Sequence, residues 1–175
     1  EDYNCCYTVG DYGNMVKSGV SPEEALKVLG PKSRDNARTP MQWSDAPNAG
    51  FTTGKPWLMV NPNYVTINAE AQVKDPDSVF HYYKKLIALR RESKWSDVIV
   101  YGDYKLLAPE DKAVFAYTRS IEGKKLLVVC NMSAEAVSFT VPEEGQWTEA
   151  EAVIGTNAPE ALERTMALKP WAASV

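Results

Sequence analysis

The spacing of apolar residues changes near residue 96, and this change limits the folds that the chain can adopt. Upstream, the clearest pattern is a helical stripe whose members recur at the spacing of one helix face: Val79, Tyr82, Tyr83, Leu86 and Leu89. Asp75-Pro76 predicts the start of that helix. Downstream, apolar and polar residues alternate in short runs, which is typical of strands. The sequence therefore predicts mixed α and β structure, with helices before residue 96 and strands after it.

The downstream part predicts an antiparallel β-sandwich. Seven short segments have the pattern of strands: Val98 to Tyr101, Tyr104 to Leu107, Ala113 to Arg119, Leu126 to Cys130, Val137 to Val141, Ala150 to Ile154 and Thr165 to Leu168. Glu122-Gly123 predicts a hairpin tip between the third and fourth strands. The continuously apolar fourth strand predicts a central position covered on both faces, whereas alternation in the fifth predicts one solvent-facing side.

Two helical segments are predicted near the beginning of the chain. Residues 1–19 have apolar and aromatic positions that could line a helix, but Gly10 and Gly13 disfavour one, so the segment is predicted to be partly helical. Ser21-Pro22-Glu23-Glu24 predicts a helix start, with Ser21 as N-cap and Glu24 closing a capping box. Gly30-Pro31 predicts the end of that helix.

Residues 33–74 show no long periodic element and predict a long loop on a larger scaffold. The loop contains the run Ser33-Arg34-Asp35-Asn36-Ala37-Arg38-Thr39-Pro40-Met41-Gln42-Trp43, which combines cations, turn residues and an aromatic. Loops of that kind often carry function. From composition alone, the favoured interpretation is structural: Arg34 and Arg38 pair with carboxylates elsewhere in the fold.

Composition and charge exclude several classes of protein. A chain of 175 residues with 24% charged and 45% hydrophobic residues has the profile of a globular domain. The net charge of −4, with scattered lysines and arginines, favours neither nucleic acid nor an acidic membrane surface. No apolar run approaches the roughly 18 residues of a membrane span. The start at Glu1, without methionine, suggests a fragment of a longer protein.

The cysteines and the histidine predict neither a disulfide framework nor a metal site. The chain has three cysteines, and the adjacent pair Cys5-Cys6 has poor geometry for a bridge. A reducing, cytoplasmic location is therefore expected. A single histidine, His81, and the absence of Cys-x-x-Cys spacing argue against bound metal, and no cofactor is expected. We expect His81 to be exposed on its helix.

The run around Arg34 closely resembles the C-terminal part of the α-glucosidases of the α-amylase clan. The resemblance continues through Ala49-Gly50-Phe51-Thr52-Thr53-Gly54-Lys55-Pro56-Trp57 and Val60-Asn61-Pro62-Asn63-Tyr64. Oligo-1,6-glucosidases, trehalose-6-phosphate hydrolases, dextran glucosidases and sucrose isomerases share it. It implies that residues 1–95, with the helices and the Arg34 loop, are the C-terminal end of a catalytic (β/α)8 barrel. Residues 96–175 would then form an all-β C-terminal domain.

The same resemblance implies an activity whose catalytic groups lie elsewhere. Retaining glycosidases need two carboxyl groups about 5 Å apart. In this clan they lie on barrel elements before the region represented here, and none of their motifs occurs in this sequence. The adjacent pairs Glu23-Glu24 and Glu143-Glu144 are interpreted as a helix start and a solvated turn. We therefore predict a C-terminal fragment of a retaining α-glucosidase acting on terminal α-glucosidic bonds of short oligosaccharides, inactive alone and without catalytic residues of its own.

One substrate-binding residue is implied. Arg34 matches the arginine that hydrogen-bonds the hydroxyls of the glucose at the non-reducing end, a task that suits five fixed donors and a permanent charge. Asp35 and Arg38 match positions expected to support the loop. Trp43 and Trp57 could stack on a sugar face, but buried anchors are the favoured interpretation.

A second hypothesis, from another functional class, is a non-catalytic carbohydrate-binding or protein-interaction module in which the sandwich and the long helix act alone.

The expected partner is an oligosaccharide substrate of the full-length protein, with no nucleic acid and no membrane. The apolar stripe of the long helix would normally face the barrel. The fragment is therefore expected to self-associate through that exposed surface.

Overall fold

The computed structural model describes residues 3–142, 147, 150–159 and 162–175. The chain forms two compact units, Glu1–Tyr83 and Lys84–Val175. The predicted pair Glu143-Glu144 lies outside the described residues.

Helices and short turns build the first unit. Helix α1 spans Cys6–Lys17, which confirms the predicted helical segment, and α2 spans Pro22–Leu29. The predicted N-cap is confirmed, because the Ser21 hydroxyl accepts a hydrogen bond from the Glu24 amide at 3.2 Å. The Glu24 carboxylate accepts from the Ser21 hydroxyl at 3.4 Å, so the bond to the Ser21 backbone amide that would complete the predicted capping box is replaced by a side-chain bond. The chain then tightens into a 3₁₀ turn at Gly30–Lys32.

The long loop is held by its own polar groups rather than by a sheet. It contains 3₁₀ turns at Arg34–Ala37, Pro47–Gly50 and Pro62–Val65. The short helix α3, Ala69–Lys74, was not predicted; Asn68 caps it, because its Oδ1 accepts from the Ala71 amide at 2.9 Å. The backbone of this helix start also bonds the Gln42 and Trp43 carbonyls, so the loop folds back on itself.

The long helix, α4, spans Val79–Glu92 and begins later than predicted. Asp75 does not cap it, because the Asp75 carboxylate closes a turn on the amide of Asp77 at 2.9 Å. The Ser78 hydroxyl instead accepts from the amide of His81 at 3.4 Å. The prediction of an exposed His81 is wrong: the ring is partly buried, and its Nε2 lies 3.0 Å from the Val73 carbonyl oxygen. Since a carbonyl only accepts, Nε2 carries the hydrogen of this bond.

The predicted stripe of α4 is only partly covered. Val79 and Tyr83 are 66% and 62% exposed, whereas Tyr82, Leu86 and Leu89 are intermediate. An apolar face of this kind is typical of an association surface. The self-association expected of the isolated chain stays a prediction.

The segment after α4 forms a helix where a strand was predicted. Val98 to Tyr101 belongs to α5, Ser96–Tyr101, despite the β-branched residues of this segment. The Arg119 guanidinium bonds the carbonyls of Val98 and Val100, at 3.4 and 3.2 Å, and so satisfies the helix end. Tertiary contacts therefore override strand propensity here. Gly102 follows the helix in an extended conformation, and only glycine fits there because a Cβ would lie 2.5 Å from the Val98 carbonyl oxygen.

Two antiparallel sheets form the predicted sandwich. The strands of the described residues are β1 Asp103–Leu107, β2 Val114–Ile121, β3 Lys124–Asn131, β4 Val137–Thr140, β5 Gly155–Thr156, β6 Thr165–Leu168 and β7 Ala173–Ser174. One sheet has the order β1-β2-β3-β7-β5, and the other pairs β4 with β6. The hairpin tip is confirmed, since Glu122 and Gly123 have φ of 47° and 80°, as a two-residue hairpin turn requires.

The core lies between the two sheets and contains residues from both. Its buried apolar members are Leu107, Val114, Ala116, Leu127, Val129, Phe139, Val141, Met166, Leu168 and Ala172. The central position of β3 is confirmed, as is the solvent-facing side of β4. The predicted strand at Ala150 to Ile154 is misplaced: the strand found here is β5, Gly155–Thr156, against the unpredicted β7. Among the described residues, only Val153 and Ile154 of the predicted segment have backbone bonds to that region, both with Val175.

A buried asparagine ties the end of β3 to the chain after β6. The Asn131 side chain belongs to a residue only 1% exposed; its Nδ2 donates to the carbonyls of Glu135 at 2.7 Å and Lys169 at 2.9 Å. Its Oδ1 accepts from the amide and the hydroxyl of Ser133, at 3.0 and 2.7 Å. The side chain therefore satisfies polar groups that the β-sandwich would otherwise bury unpaired.

We expect Asn131→Ala to lower the free energy of unfolding by about 2 to 4 kcal/mol, because several buried polar groups lose their partner together. Urea denaturation followed by circular dichroism measures this. Ser138→Ala, at an exposed position of β4, serves as the control and should change stability by about 0.5 kcal/mol or less. Equal effects of the two substitutions would contradict the assigned role.

Candidate functional site

The segment around Arg34 forms a tight turn that its own side chains stabilise. The 3₁₀ turn Arg34–Ala37 starts at Ser33, whose hydroxyl accepts from the amide of Asp35 at 3.3 Å. The same hydroxyl accepts from the Thr8 hydroxyl of α1 at 3.1 Å. At the other end, the Asn36 amide group donates to the Gly30 carbonyl at 2.8 Å. These bonds fix the path of the backbone on both sides of Arg34.

Asp35 anchors the turn to the start of α1. The residue is only 5% exposed, and its Oδ2 accepts from the amides of Asn4 and Cys5, both at 2.7 Å. A carboxylate suits this place because the N-terminal end of a helix carries partial positive charge. The same end lowers the pKa of the Cys5 thiol, with the backbone amide of Thr8 as the main cause.

The second carboxylate oxygen of Asp35 has no partner within the described ranges. Its Oδ1 is buried there without a hydrogen bond. Buried carboxylate oxygens normally have a donor. The structure places Asp35 within the fold of the loop, and its role as loop support stays a prediction.

Arg34 is exposed, and its guanidinium forms no ion pair with the residues that the structure describes. Its Cζ lies over the Tyr7 ring, 4.7 Å from the ring centroid. In the described parts of the chain, no carboxylate pairs with it and no hydrogen bond involves its side chain. The structural interpretation favoured by composition therefore has no support from these residues, which leave all five N–H donors of Arg34 unused.

Arg38 lies beyond the turn and is exposed as well. None of the described residues forms a hydrogen bond or an ion pair with its side chain. The loop contacts that sequence reasoning missed are those of Ser33, Thr8 and Asn36. Serine hydroxyls in turns often accept a hydrogen bond from the amide two residues later. The bond from the Asp35 amide to Ser33 could therefore have been predicted from the sequence. The Thr8 partner could not, because it lies 25 positions away.

Neither tryptophan of the loop is a buried anchor in the described chain. Trp43 and Trp57 are 54% and 57% exposed. The carbonyl of Trp57 accepts from the side-chain amide of Asn4 at 2.8 Å, so its backbone is tied to the residue that also bonds Asp35. The structure brings Trp57 to the anchored end of α1 but shows no contact of either indole with Arg34.

The described residues hold no cluster of three or more His, Cys, Asp or Glu side chains arranged for a metal ion. The cysteines are unpaired: Cys5 is buried, Cys6 is exposed and Cys130 is intermediate. No helix in the described part of the chain is long and apolar enough to cross a bilayer. What the site offers chemically is a permanent cation with free donors on an anchored turn, which can bind hydroxyl or anionic oxygen atoms.

Two known protein domains match almost the whole chain. Residues 6–102 match the alpha amylase catalytic domain, and residues 104–175 match the maltogenic amylase C-terminal domain. The two matched regions meet near residue 103, later in the chain than the predicted domain boundary after residue 95. That predicted boundary stays a prediction.

Relatives of known structure and name share both parts. An oligo-1,6-glucosidase of Parageobacillus thermoglucosidasius is 44% identical over 178 residues, which cover 100% of this chain and 31% of that protein. The structure of the trehalose-6-phosphate hydrolase of Bacillus licheniformis matches 98% of this chain with 38% identity and a TM-score of 0.90. The trehalulose synthase of Pseudomonas mesoacidophila matches 98% with 41% identity and a TM-score of 0.88. The chain spans about 31% of the length of each of these proteins.

We expect Asp35→Ala to release the start of α1 and to lower the free energy of unfolding by about 2 to 4 kcal/mol, because the amides of Asn4 and Cys5 both lose their acceptor. Hydrogen–deuterium exchange should accelerate in a peptide covering residues 3–9. Asp11→Ala is the matched control, since Asp11 is an exposed carboxylate of the same helix. Unchanged exchange in the Asp35 variant would show that the carboxylate does not anchor α1.

Proposed function

The chain belongs to the α-amylase family, and from that premise we propose that it is the C-terminal part of a retaining α-glucosidase. The proposed reaction is hydrolysis of terminal α-glucosidic bonds in short oligosaccharides. The observation that carries the proposal is the exposed Arg34 guanidinium, without a carboxylate partner among the described residues, on a turn bonded to α1 through Asp35. The 44% identity to an oligo-1,6-glucosidase supports the same reaction class.

Arg34 is proposed to bind the hydroxyls of the terminal glucose. An enzyme that removes terminal sugars must recognise the end of the substrate, and hydroxyl oxygens there accept hydrogen bonds from a charged donor. Such bonds contribute about 1.5 to 3 kcal/mol. Arginine keeps its charge at every working pH and presents donors in a fixed geometry, so its contribution does not depend on protonation.

Asp35 and Arg38 are proposed to support the loop that carries Arg34. For Asp35 the support consists of its bonds to the Asn4 and Cys5 amides. For Arg38 the proposed partner is a carboxylate in another part of the protein. Its side chain is exposed and unpaired in the described ranges, and so remains available for such a pair.

The catalytic acids are proposed to lie in a part of the protein that this chain does not cover. Hydrolysis with retention needs a nucleophilic carboxylate and an acid/base carboxyl group about 5 Å apart. The buried carboxylate nearest to Arg34 in sequence, Asp35, is already engaged by two amides. The chain also spans only 31% of the oligo-1,6-glucosidase that it matches, which leaves ample sequence for those groups.

The proposed partner is the oligosaccharide substrate, in a cytoplasmic protein with no nucleic-acid or membrane partner. The net charge of −4 supports the exclusion of a nucleic-acid partner. Association of isolated chains through the exposed face of α4 is part of the same proposal.

We expect the 175-residue chain alone to show no turnover of p-nitrophenyl α-glucoside above background, because an arginine cannot replace a nucleophile and an acid. Release of p-nitrophenol measures this, with the full-length protein as the positive control. Turnover by a fragment purified free of host glucosidase would refute the proposed division of the active site.

In the full-length protein, we expect Arg34→Ala to reduce kcat/KM roughly ten- to a hundredfold, which corresponds to the loss of about 1.5 to 3 kcal/mol. The melting temperature should change little, because Arg34 is exposed and unpaired. Arg91→Ala, at an exposed position of α4, is the matched control and should keep full efficiency.

Arg38→Ala should behave in the opposite way, lowering the melting temperature at least as much as the activity. Together the variants separate a substrate contact from a structural one. If Arg34→Ala keeps the efficiency of the unmodified enzyme, or loses activity only in proportion to folded protein, Arg34 does not bind substrate.

A further inference from the structure

We propose that Tyr7 is a positioning residue that holds the guanidinium of Arg34 in its binding orientation. This inference rests on the proposed sugar-binding role of Arg34. Tyr7 is an exposed residue of α1.

The contact between the two side chains uses the charge of the arginine and leaves its donors free. Cζ of Arg34 lies 4.7 Å from the centroid of the Tyr7 ring, within the range of a cation–π interaction. That attraction acts between the cation and the face of the ring, so it consumes none of the five N–H donors. Tyr7 itself is 63% exposed, so the ring is not there to fill a core.

Bonds on both sides of the contact fix the backbones that carry it. The amide of Cys5 donates to Asp35 at 2.7 Å, and the hydroxyl of Thr8 donates to the hydroxyl of Ser33 at 3.1 Å. In sequence, these two bonds bracket the tyrosine on α1 and the arginine on the loop. The ring and the guanidinium are therefore presented to each other by segments that are already locked together.

A long, exposed arginine needs such a partner to bind efficiently. Its flexible side chain samples many rotamers when nothing holds it, and only a fraction of them directs the N–H donors towards a sugar. The apparent affinity of a site falls in proportion to the fraction that is competent to bind. The tyrosine face raises that fraction without competing with the sugar hydroxyls for donors.

The test is a set of substitutions at Tyr7 in the full-length protein, with kcat/KM for p-nitrophenyl α-glucoside as the readout. Tyr7→Leu removes the ring and should lower kcat/KM about three- to fivefold, which corresponds to about 0.65 to 0.95 kcal/mol at 1.36 kcal/mol per tenfold change. Tyr7→Phe keeps the ring face, so its kcat/KM should stay within about twofold of that of the unmodified enzyme. Val9→Ala, at an exposed position of the same helix, is the control and should have no effect.

A double substitution distinguishes positioning from a general effect on the fold. If Tyr7 acts through Arg34, Tyr7→Leu should cause no further loss in an Arg34→Ala background. Equal losses in both backgrounds, or an unchanged Tyr7→Leu enzyme beside an impaired Arg34→Ala enzyme, would overturn the positioning role alone. An Arg34→Ala enzyme with full efficiency would overturn the sugar-binding role itself, and this inference with it.

Discussion

The carboxylate of Asp35 is the contact on which the candidate site depends. It is buried, and its Oδ2 receives the amides of Asn4 and Cys5 at the start of α1. Burying a carboxylate is costly unless it is hydrogen-bonded, and here the two amides supply those bonds. The bonds hold the start of α1 at a fixed distance from the turn. Tyr7 and Arg34 then meet across that distance, with Cζ of Arg34 4.7 Å from the ring centroid.

The two units use different means to hold their shape. In the second, apolar side chains from both sheets form one core, and Asn131 satisfies the polar groups where β3 leaves it. In the first, the long loop relies on side-chain caps and turns, such as Ser33 and Asn68. Turns of that kind set the path of a backbone without a large apolar core, which suits a segment that presents polar groups to a ligand.

The parts of the fold that follow from local pattern were predictable from the sequence. Three of the predicted features depend on residues close together in the chain: the N-cap at Ser21, the hairpin at Glu122-Gly123 and the central strand β3. The parts that depend on distant partners were not. Val98 to Tyr101 has strand propensity but is helical beneath the Arg119 guanidinium. Within the site, family resemblance singled out Arg34, whereas Thr8 and Tyr7 are neighbours that only the folded chain brings to it.

A crystal structure of the full-length protein with glucose bound in the pocket would show directly whether Arg34 binds the sugar. We expect a guanidinium nitrogen of Arg34 to lie roughly 3 Å from a hydroxyl oxygen of the terminal sugar, within hydrogen-bonding distance. The Tyr7 ring should remain beneath the same guanidinium. A glucose bound between the catalytic carboxylates with Arg34 directed elsewhere, or paired with a protein carboxylate, would contradict the central claim.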